Sequence, residues 1–162
     1  MIAIAAVDRN WAIGNQGQLL VHISEDMKNF RRLTAGKTVI YGRKTLETFP
    51  GAKPLPKREN IIFSRSQDFQ VEGAKVVHSV HELLDILPEN SDDAIVIGGG
   101  SIYHTLLPYC TAAVITKVEN EYPADTWFDD LDDDPDWECV ERGEDREADG
   151  VIFHIDRYER IH

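Results

Sequence analysis

Near-continuous apolar runs at Met1–Val7, Thr38–Tyr41, Asn60–Phe63, Ala94–Ile97 and Ala112–Val118 alternate with stretches of helical period, and this alternation restricts the fold more than any other feature. A run with so few polar positions has no face to give to water, so it suits a strand covered on both sides. Such strands, interleaved with helices, build a mostly parallel sheet with helices on its two faces. The expected class is α/β: a central, mostly parallel sheet of about eight strands flanked by about four helices. A further strand is expected at Lys75–His78. Helices are expected from Ser24 to about Thr34, from Arg43, from Ser79 to Leu87, and from Ser101 to the stop at Pro108. Ser79 with Glu82 spells a capping box, and Ser24 suits an N-cap. Asp8–Val21 carries Gly14 and Gly17 with few periodic apolar positions and reads as a long surface loop of the kind that carries function. Trp137–Arg142 and Val151–Arg157, joined across Asp149-Gly150, read as an antiparallel hairpin closing one edge.

With 162 residues and 42% hydrophobic content, the chain fits one domain spanning 1–162. Cys110 and Cys139 stand far apart, outside any CxxC or Cys/His spacing, so reduced thiols and a cytoplasmic location are expected. No basic leader or membrane-length apolar run is visible, and no membrane association is expected. A net charge of -12 repels nucleic acid and anionic lipid alike. It also suits a protein working in concentrated salt, where screening removes self-repulsion and carboxylates hold water and ions. Asp130, Asp132, Asp134 and Glu141 nearly spell a calcium loop, but Pro135 occupies the position that needs glycine. The six histidines lack metal spacing, so no metal is expected; His22 reads as an exposed residue.

Against this acidic background the basic residues that follow strand ends are informative. In parallel sheets, ligands lie beyond the carboxyl ends of the strands. Ala94–Ile97 runs into Gly98-Gly99-Gly100-Ser101-Ile102-Tyr103, a strand-to-helix turn whose backbone can approach a phosphate. It is not the dinucleotide fingerprint, because Tyr103 stands where a third glycine would pack helix on strand. Thr38–Tyr41 ends in Gly42-Arg43-Lys44-Thr45, and Asn60–Phe63 ends in Ser64-Arg65-Ser66. Each alone also describes a solvated turn. Three on one edge suit a nucleotide carrying a pyrophosphate and a further phosphate.

On the helix from Ser24, at about 100° per residue, Asp26 falls between Phe30 and Leu33 with Ile23 and Met27 on the same side. A carboxylate on apolar ground can pair with a flat amidine-like group and assist protonation. It is also what a first-turn acid stabilised by the helix dipole looks like. Dipole and desolvation push its pKa in opposite directions, and sequence leaves both readings open.

In order along nearly the whole chain, these pieces resemble dihydrofolate reductase: Ile4-Ala5-Ala6, Ile13-Gly14, Asp26-Met27 with Phe30, Gly42-Arg43-Lys44-Thr45, Leu55-Pro56 with Arg58, Ile97-Gly98-Gly99-Gly100 with Tyr103, Thr116, and Asp125-Thr126-Trp127-Phe128. The resemblance implies that family's single-domain fold, with an antiparallel C-terminal strand. It implies hydride transfer from NADPH to C6 of dihydrofolate and protonation at N5, giving tetrahydrofolate for one-carbon metabolism. Asp26, supported by Thr116, would hold the pterin, and the carbonyls of Ile4 and Ile97 would take its remaining amine. Ala5, Met27, Phe30, Phe49 and Leu55 would line the substrate site, with Phe30 and Phe49 around the rings. Arg58, otherwise an exposed residue of Lys57-Arg58-Glu59, would pair with the glutamate carboxylate. Arg43, Ser64 and Arg65 would hold the 2′-phosphate of NADPH. Lys44, Thr45, Gly42 and the Gly98–Tyr103 turn would hold the pyrophosphate. Ala6, Ile13, Gly14, Asn15 and Gln18 would border the nicotinamide, and the Gly98-Gly99 bond would be cis. A monomer inhibited by antifolates is implied as well.

Two departures stand out. The family's L-P-W reads Leu19-Leu20-Val21, and Ser24 replaces a usual Pro. Looser folate binding and an altered water-borne proton route are expected. The riboflavin-pathway pyrimidine reductase, opposed by Asp26 and Arg58, and a nucleotide-binding module without catalysis both remain open as alternatives.

Overall fold

The computed structural model describes residues 1–20, 22–88 and 91–162; Val21 of the altered loop lies outside them. In chain order its elements are β1 (Ile2–Val7), β2 (Ala12–Asn15), β3 (Gln18–Leu19), α1 (Ser24–Thr34), β4 (Thr38–Gly42), α2 (Arg43–Leu46), β5 (Glu59–Phe63), β6 (Ala74–Val77), α3 (Val80–Ile86), β7 (Ala94–Gly98), α4 (Gly100–Leu106), β8 (Ala112–Val118), β9 (Thr126–Trp127), β10 (Trp137–Glu141), β11 (Arg146–Ala148) and β12 (Val151–Arg160). A nine-stranded sheet runs β10-β12-β8-β1-β7-β4-β5-β6, with β11 also on β12. Pairings from β8 to β6 are parallel, and β12 joins β8 antiparallel. The expected class and its antiparallel closing strand are therefore observed.

The apolar runs occupy the middle of this sheet for the reason anticipated. Val39, Ile40, Tyr41, Ile61, Ile62 and Ala94–Val96 are all buried, because both faces are covered. Alternate residues of β4 feed different cores. Ile40 joins the large cluster that holds Val96, Leu106 and Ile115, whereas Val39 and Tyr41 join Leu46 and Ile62 with Phe49, Leu55 and Phe69 around them. No helix among the described residues is long and apolar enough to cross a membrane.

Three local readings need correction. Asp8–Val21 is not plain surface loop: β2 and β3 form a hairpin in it, and β9 completes a second, three-stranded sheet. Trp11 is buried there, its ring 6.1 Å from Phe128 and 5.8 Å from Tyr158. Its partners lie more than a hundred residues on, so local periodicity could not show them. At the C-terminus, Asp149-Gly150 joins β11, not β10, to β12. Ten residues long, β12 pairs its first half with β11 and its second half with β10, as in Trp137↔Arg160. Finally, the helix starts use other partners. Ile23, without a side-chain bond, is the N-cap of α1, and the Ser24 amide donates to Asp149 at 3.2 Å. At α3, Ser79 Oγ accepts the Glu82 amide as expected, but the Glu82 carboxylate takes the amide of His78.

Candidate active site

The ladder between β1 and β7 lasts only two pairs, Ile2↔Ile95 and Ala3↔Val96, while β1 stays paired with β8 through Val7↔Lys117. On its other side, β7 shifts register against β4: Ile40 opposes Val96 and Tyr41 opposes Gly98, so Ile97 is skipped. The sheet therefore splays where Ile4, Ala5, Ala6 and Ile97 lie. The Ile4 carbonyl accepts the Tyr103 hydroxyl at 2.6 Å and keeps a second lone pair. This explains the tyrosine at the glycine turn: it reaches back from α4 to brace the mouth of the splay.

Asp26 stands half-buried at the start of α1, and its Oδ1 accepts the Thr116 hydroxyl of β8 at 2.6 Å. Burial raises the carboxyl's pKa and the Thr116 bond lowers it by less, so desolvation wins the contest that sequence left open. Burial, and then the charge of Asp26, push the Tyr103 phenol far up. Ile23 is buried and Phe30 and Leu33 half-buried, as the helical phase implies, but Met27 remains 38% exposed.

The three strand-end turns, two basic and one glycine-rich, lie side by side. Gly42 pairs with Phe63, and Tyr41 with Gly98, so the ends of β4, β5 and β7 are adjacent. A Cβ on Gly98 would come 3.3 Å from Thr45 Oγ1, and the residue's φ of +140° is glycine territory. The Gly98-Gly99 peptide is cis, as the resemblance implied. A Cβ on Gly100 would lie 2.6 Å from Thr126 Cγ2, and one on Gly42 would lie 3.0 Å from Ile102 Cγ1. The turn is thus a close-approach backbone surface with Ser101 exposed at its rim. Ser64 is buried, its carbonyl bonded to His78 Nδ1 at 2.8 Å and its Oγ to the Ser66 amide at 3.2 Å. Lys37, Lys75, Lys117 and Arg146 each pair with a carboxylate. Arg43, Lys44 and Arg65 are exposed and form no ion pair among the described residues, leaving three cations for an external anion.

Opposite lies the other basic end. The sequence motif suggested an exposed Arg58; instead it is partly buried, with Nε donating to Thr34 Oγ1 at 2.8 Å and a terminal nitrogen to the Pro56 carbonyl at 2.9 Å. Burial, then neighbouring Arg31, lower its pKa. Leu55 is clamped by Asn60, which bonds both its amide and its carbonyl and also accepts the Tyr41 hydroxyl at 2.7 Å. Phe49 meets the Tyr41 ring edge-on at 5.1 Å.

The loop segment is docked as well. Asn15 and Gln18 pair in the β2–β3 hairpin, with Ile13 buried and Gly14 beside Thr126. Asp125 accepts the Gln16 amide at 2.9 Å and returns its own amide to the Gly14 carbonyl at 3.0 Å. The Gln16 bond, then the Thr126 hydroxyl, lower the Asp125 pKa. Asn60, His78 and Asp125 support the site, yet nothing local in the sequence marks them for these tasks, beyond Asp125 within a signature.

Comparison with known proteins agrees with this geometry. A family model described as dihydrofolate reductase matches residues 1–160. The chain is 33% identical over 159 residues to dihydrofolate reductase of Bacillus subtilis, covering 97% of this chain and 92% of that protein. It is 38% identical over 156 residues to that of Neisseria gonorrhoeae, covering 96% and 94%. A solved Enterococcus faecalis dihydrofolate reductase, complexed with NADP(H) and RAB-propyl, superposes with a TM-score of 0.86 at 32% identity, covering 99% of this chain and 96% of that one. A half-buried acid facing a splayed sheet, a glycine turn among unpaired cations and matches of this extent lead to one conclusion: the chain belongs to the dihydrofolate reductase family.

Proposed function

We propose that this chain reduces 7,8-dihydrofolate to 5,6,7,8-tetrahydrofolate with NADPH. The observation that carries the reading is the Asp26–Thr116 pair at 2.6 Å beside the opening between β1 and β7. The cofactor fits the residues present. A Cβ-free turn at Gly98–Gly100 borders Thr45, and three unpaired cations, Arg43, Lys44 and Arg65, stand at the ends of the two next strands. Arg43, Ser64 and Arg65 would hold the 2′-phosphate; Gly42, Lys44, Thr45 and the turn from Gly98 to Tyr103 would hold the pyrophosphate; Ala6, Ile13, Gly14, Asn15, Gln18 and Ile97 would border the nicotinamide. Bound NADPH supplies the hydride that C6 receives.

The chain's own groups bind and orient the substrate. Asp26 accepts from N3 and the 2-amino group of the pterin, and Thr116 fixes the carboxyl's rotation. The Ile4 carbonyl, with a lone pair left beside the Tyr103 bond, accepts the ring N8–H of dihydrofolate, and together with the Ile97 carbonyl it would take the 4-amino group of a diamino antifolate. Ala5, Met27, Phe30, Phe49 and Leu55 exclude water around the rings, and Arg58 pairs with the glutamate carboxylate. A carboxyl whose pKa is lifted by burial keeps a proton at higher pH than an exposed acid, which favours proton delivery toward N5. The same acid would pair with the cationic amidine-like group of an antifolate.

The chain acts as one domain and a monomer in the cytoplasm, and its net charge of -12 supports an origin in high salt. One assay tests the activity: NADPH absorbance is followed in concentrated KCl with dihydrofolate. Consumption that requires dihydrofolate and disappears in Asp26→Asn supports the reading. Binding of NADPH without turnover, or turnover only with a ribosyl-phosphate pyrimidine, overturns it.

A further inference from the structure

The Arg43 guanidinium lies over the ring of Phe69, Cζ 4.1 Å from its centroid, although the two residues follow different strands. Arg43 follows β4 directly, while Phe69 closes the turn after β5. The ring is not mobile decoration. It packs on the cluster of Val39, Tyr41, Leu46 and Ile62, beside Val71 and Ala74. Its backbone is fixed as well, with the Phe69 amide donating to the Ser66 carbonyl at 3.2 Å and the Ser66 amide to Ser64 Oγ at 3.2 Å. The same turn is tied to the sheet by the Ser64 amide on the Val77 carbonyl at 3.0 Å and by His78 on the Ser64 carbonyl. Phe69 therefore both packs on the core and lies beneath the guanidinium.

We propose that Phe69 is a positioning residue that sets the preference for a 2′-phosphorylated adenine nucleotide, by holding Arg43 in the plane where its N–H groups meet that phosphate. The inference rests on the placement of the 2′-phosphate at Arg43, Ser64 and Arg65 given above. A ring beneath the guanidinium attracts its charge without taking up its N–H donors as hydrogen-bond partners would, so they remain free to grip phosphate oxygens in pairs. Arg43 makes no ion pair among the described residues, so none of their carboxylates competes for its N–H groups. A long cation free in water would lose rotamer freedom on binding; one already stacked on a fixed ring loses less. That saving applies only to a ligand with a group for Arg43 to grip. A nucleotide without the 2′-phosphate gains nothing from it, so the ring acts on selectivity and not on adenine binding in general.

The test is calorimetric binding of 2′,5′-ADP and of 5′-AMP to the full chain, with Phe69→Leu, which keeps the apolar packing, and Phe69→Tyr, which restores an aromatic platform. Phe69→Leu should lose about fivefold in affinity for 2′,5′-ADP with its affinity for 5′-AMP unaltered, and Phe69→Tyr should recover most of that loss. In steady state the same loss should fall on the KM for NADPH and not on that for NADH. If Phe69→Leu weakens both nucleotides equally, or neither, the platform is refuted. If the unmodified protein itself fails to prefer 2′,5′-ADP, the phosphate placement falls first and the platform with it. Far-ultraviolet dichroism of both variants guards against unfolding, and retained 5′-AMP binding shows an intact adenine site.

Discussion

The Thr116 hydroxyl donates to Asp26 Oδ1 across 2.6 Å, tying the first turn of α1 to the middle of β8. Thr116 is buried and Asp26 half-buried, so a single bond fixes a carboxyl that burial makes reluctant to ionise. The bond lowers the pKa by less than burial raises it.

Asp26→Asn should therefore lower activity and raise stability together. The amide can still accept from Thr116 but offers no negative charge to the pterin and no proton to pass on, and about a hundredfold loss or more in kcat is expected. The native carboxyl has a raised pKa, so the unfolded chain releases its proton at lower pH than the folded one. Stability is complete below the unfolded-state pKa and declines as pH rises toward the folded-state pKa. Removing the group should gain roughly 0.5–2 kcal/mol at neutral pH and nothing in acid. Thermal melts of both proteins across pH 3–8 (about the span of the effect) check the sign; a variant less stable at neutral pH would overturn the assignment of desolvation as dominant.

The pairing that matters here was legible in part. Helical phase placed Asp26 on the apolar side of α1, and strand-end reasoning placed Gly42, Ser64 and Gly98 on one edge, because both depend on spacing within a few residues. Contacts made across the chain left no such trace. Locally, Trp11 reads as loop because its partners are Phe128 and Tyr158, and Arg58 reads as surface because its anchor, Thr34, is twenty-four residues away on α1. The C-terminal hairpin differs from the sequence expectation for a related reason: β12 is long enough to serve two partners, and the strongest turn signal joins the nearer one.

Gly100 offers a second test, because a Cβ there would approach within 2.6 Å of Thr126 Cγ2, on the strand that docks β2. Gly100→Ala should displace Thr126 and the loop behind it, costing about 1–3 kcal/mol and raising the KM for NADPH. Thr126→Ser removes the clashing methyl and keeps the hydroxyl bonded to Asp125. The double variant should regain most of the loss, so the two substitutions will be non-additive. Simple additivity in thermal melts would show that the crowding lies elsewhere.

Arg58 should separate the two ends of the substrate. Two of its nitrogens are committed to Thr34 and Pro56, and the remaining one is oriented without rotamer search. Arg58→Leu should raise the KM for dihydrofolate by about ten- to a hundredfold, as expected for losing a charge-assisted pair, and should leave a dihydropterin lacking the glutamate unaffected. Lysine should rescue poorly, because it cannot keep the Thr34 and Pro56 bonds while presenting a charge beyond them. Equal effects on both substrates would place Arg58 in a purely structural role.

Salt is the last test, and two opposing effects must be weighed. Exposed pairs such as Arg9–Glu119 and Lys75–Glu59 weaken as salt rises, but each is worth at most about 1 kcal/mol. Repulsion among the carboxylates behind a net charge of -12 acts over the whole surface, including the acidic run from Asp129 to Asp136, and screening relieves all of it. The melting temperature should therefore rise with KCl. Screening is largely complete once the Debye length falls to about 5 Å or less, at a few tenths molar salt. An ordinary acidic protein would plateau there. A surface whose carboxylates bind hydrated ions should go on gaining, by about 5 °C or more between 0.5 M (roughly the end of screening) and 2 M (roughly working concentration). A flat melt over that upper interval would remove the salt-adapted reading while leaving the reductase activity untouched.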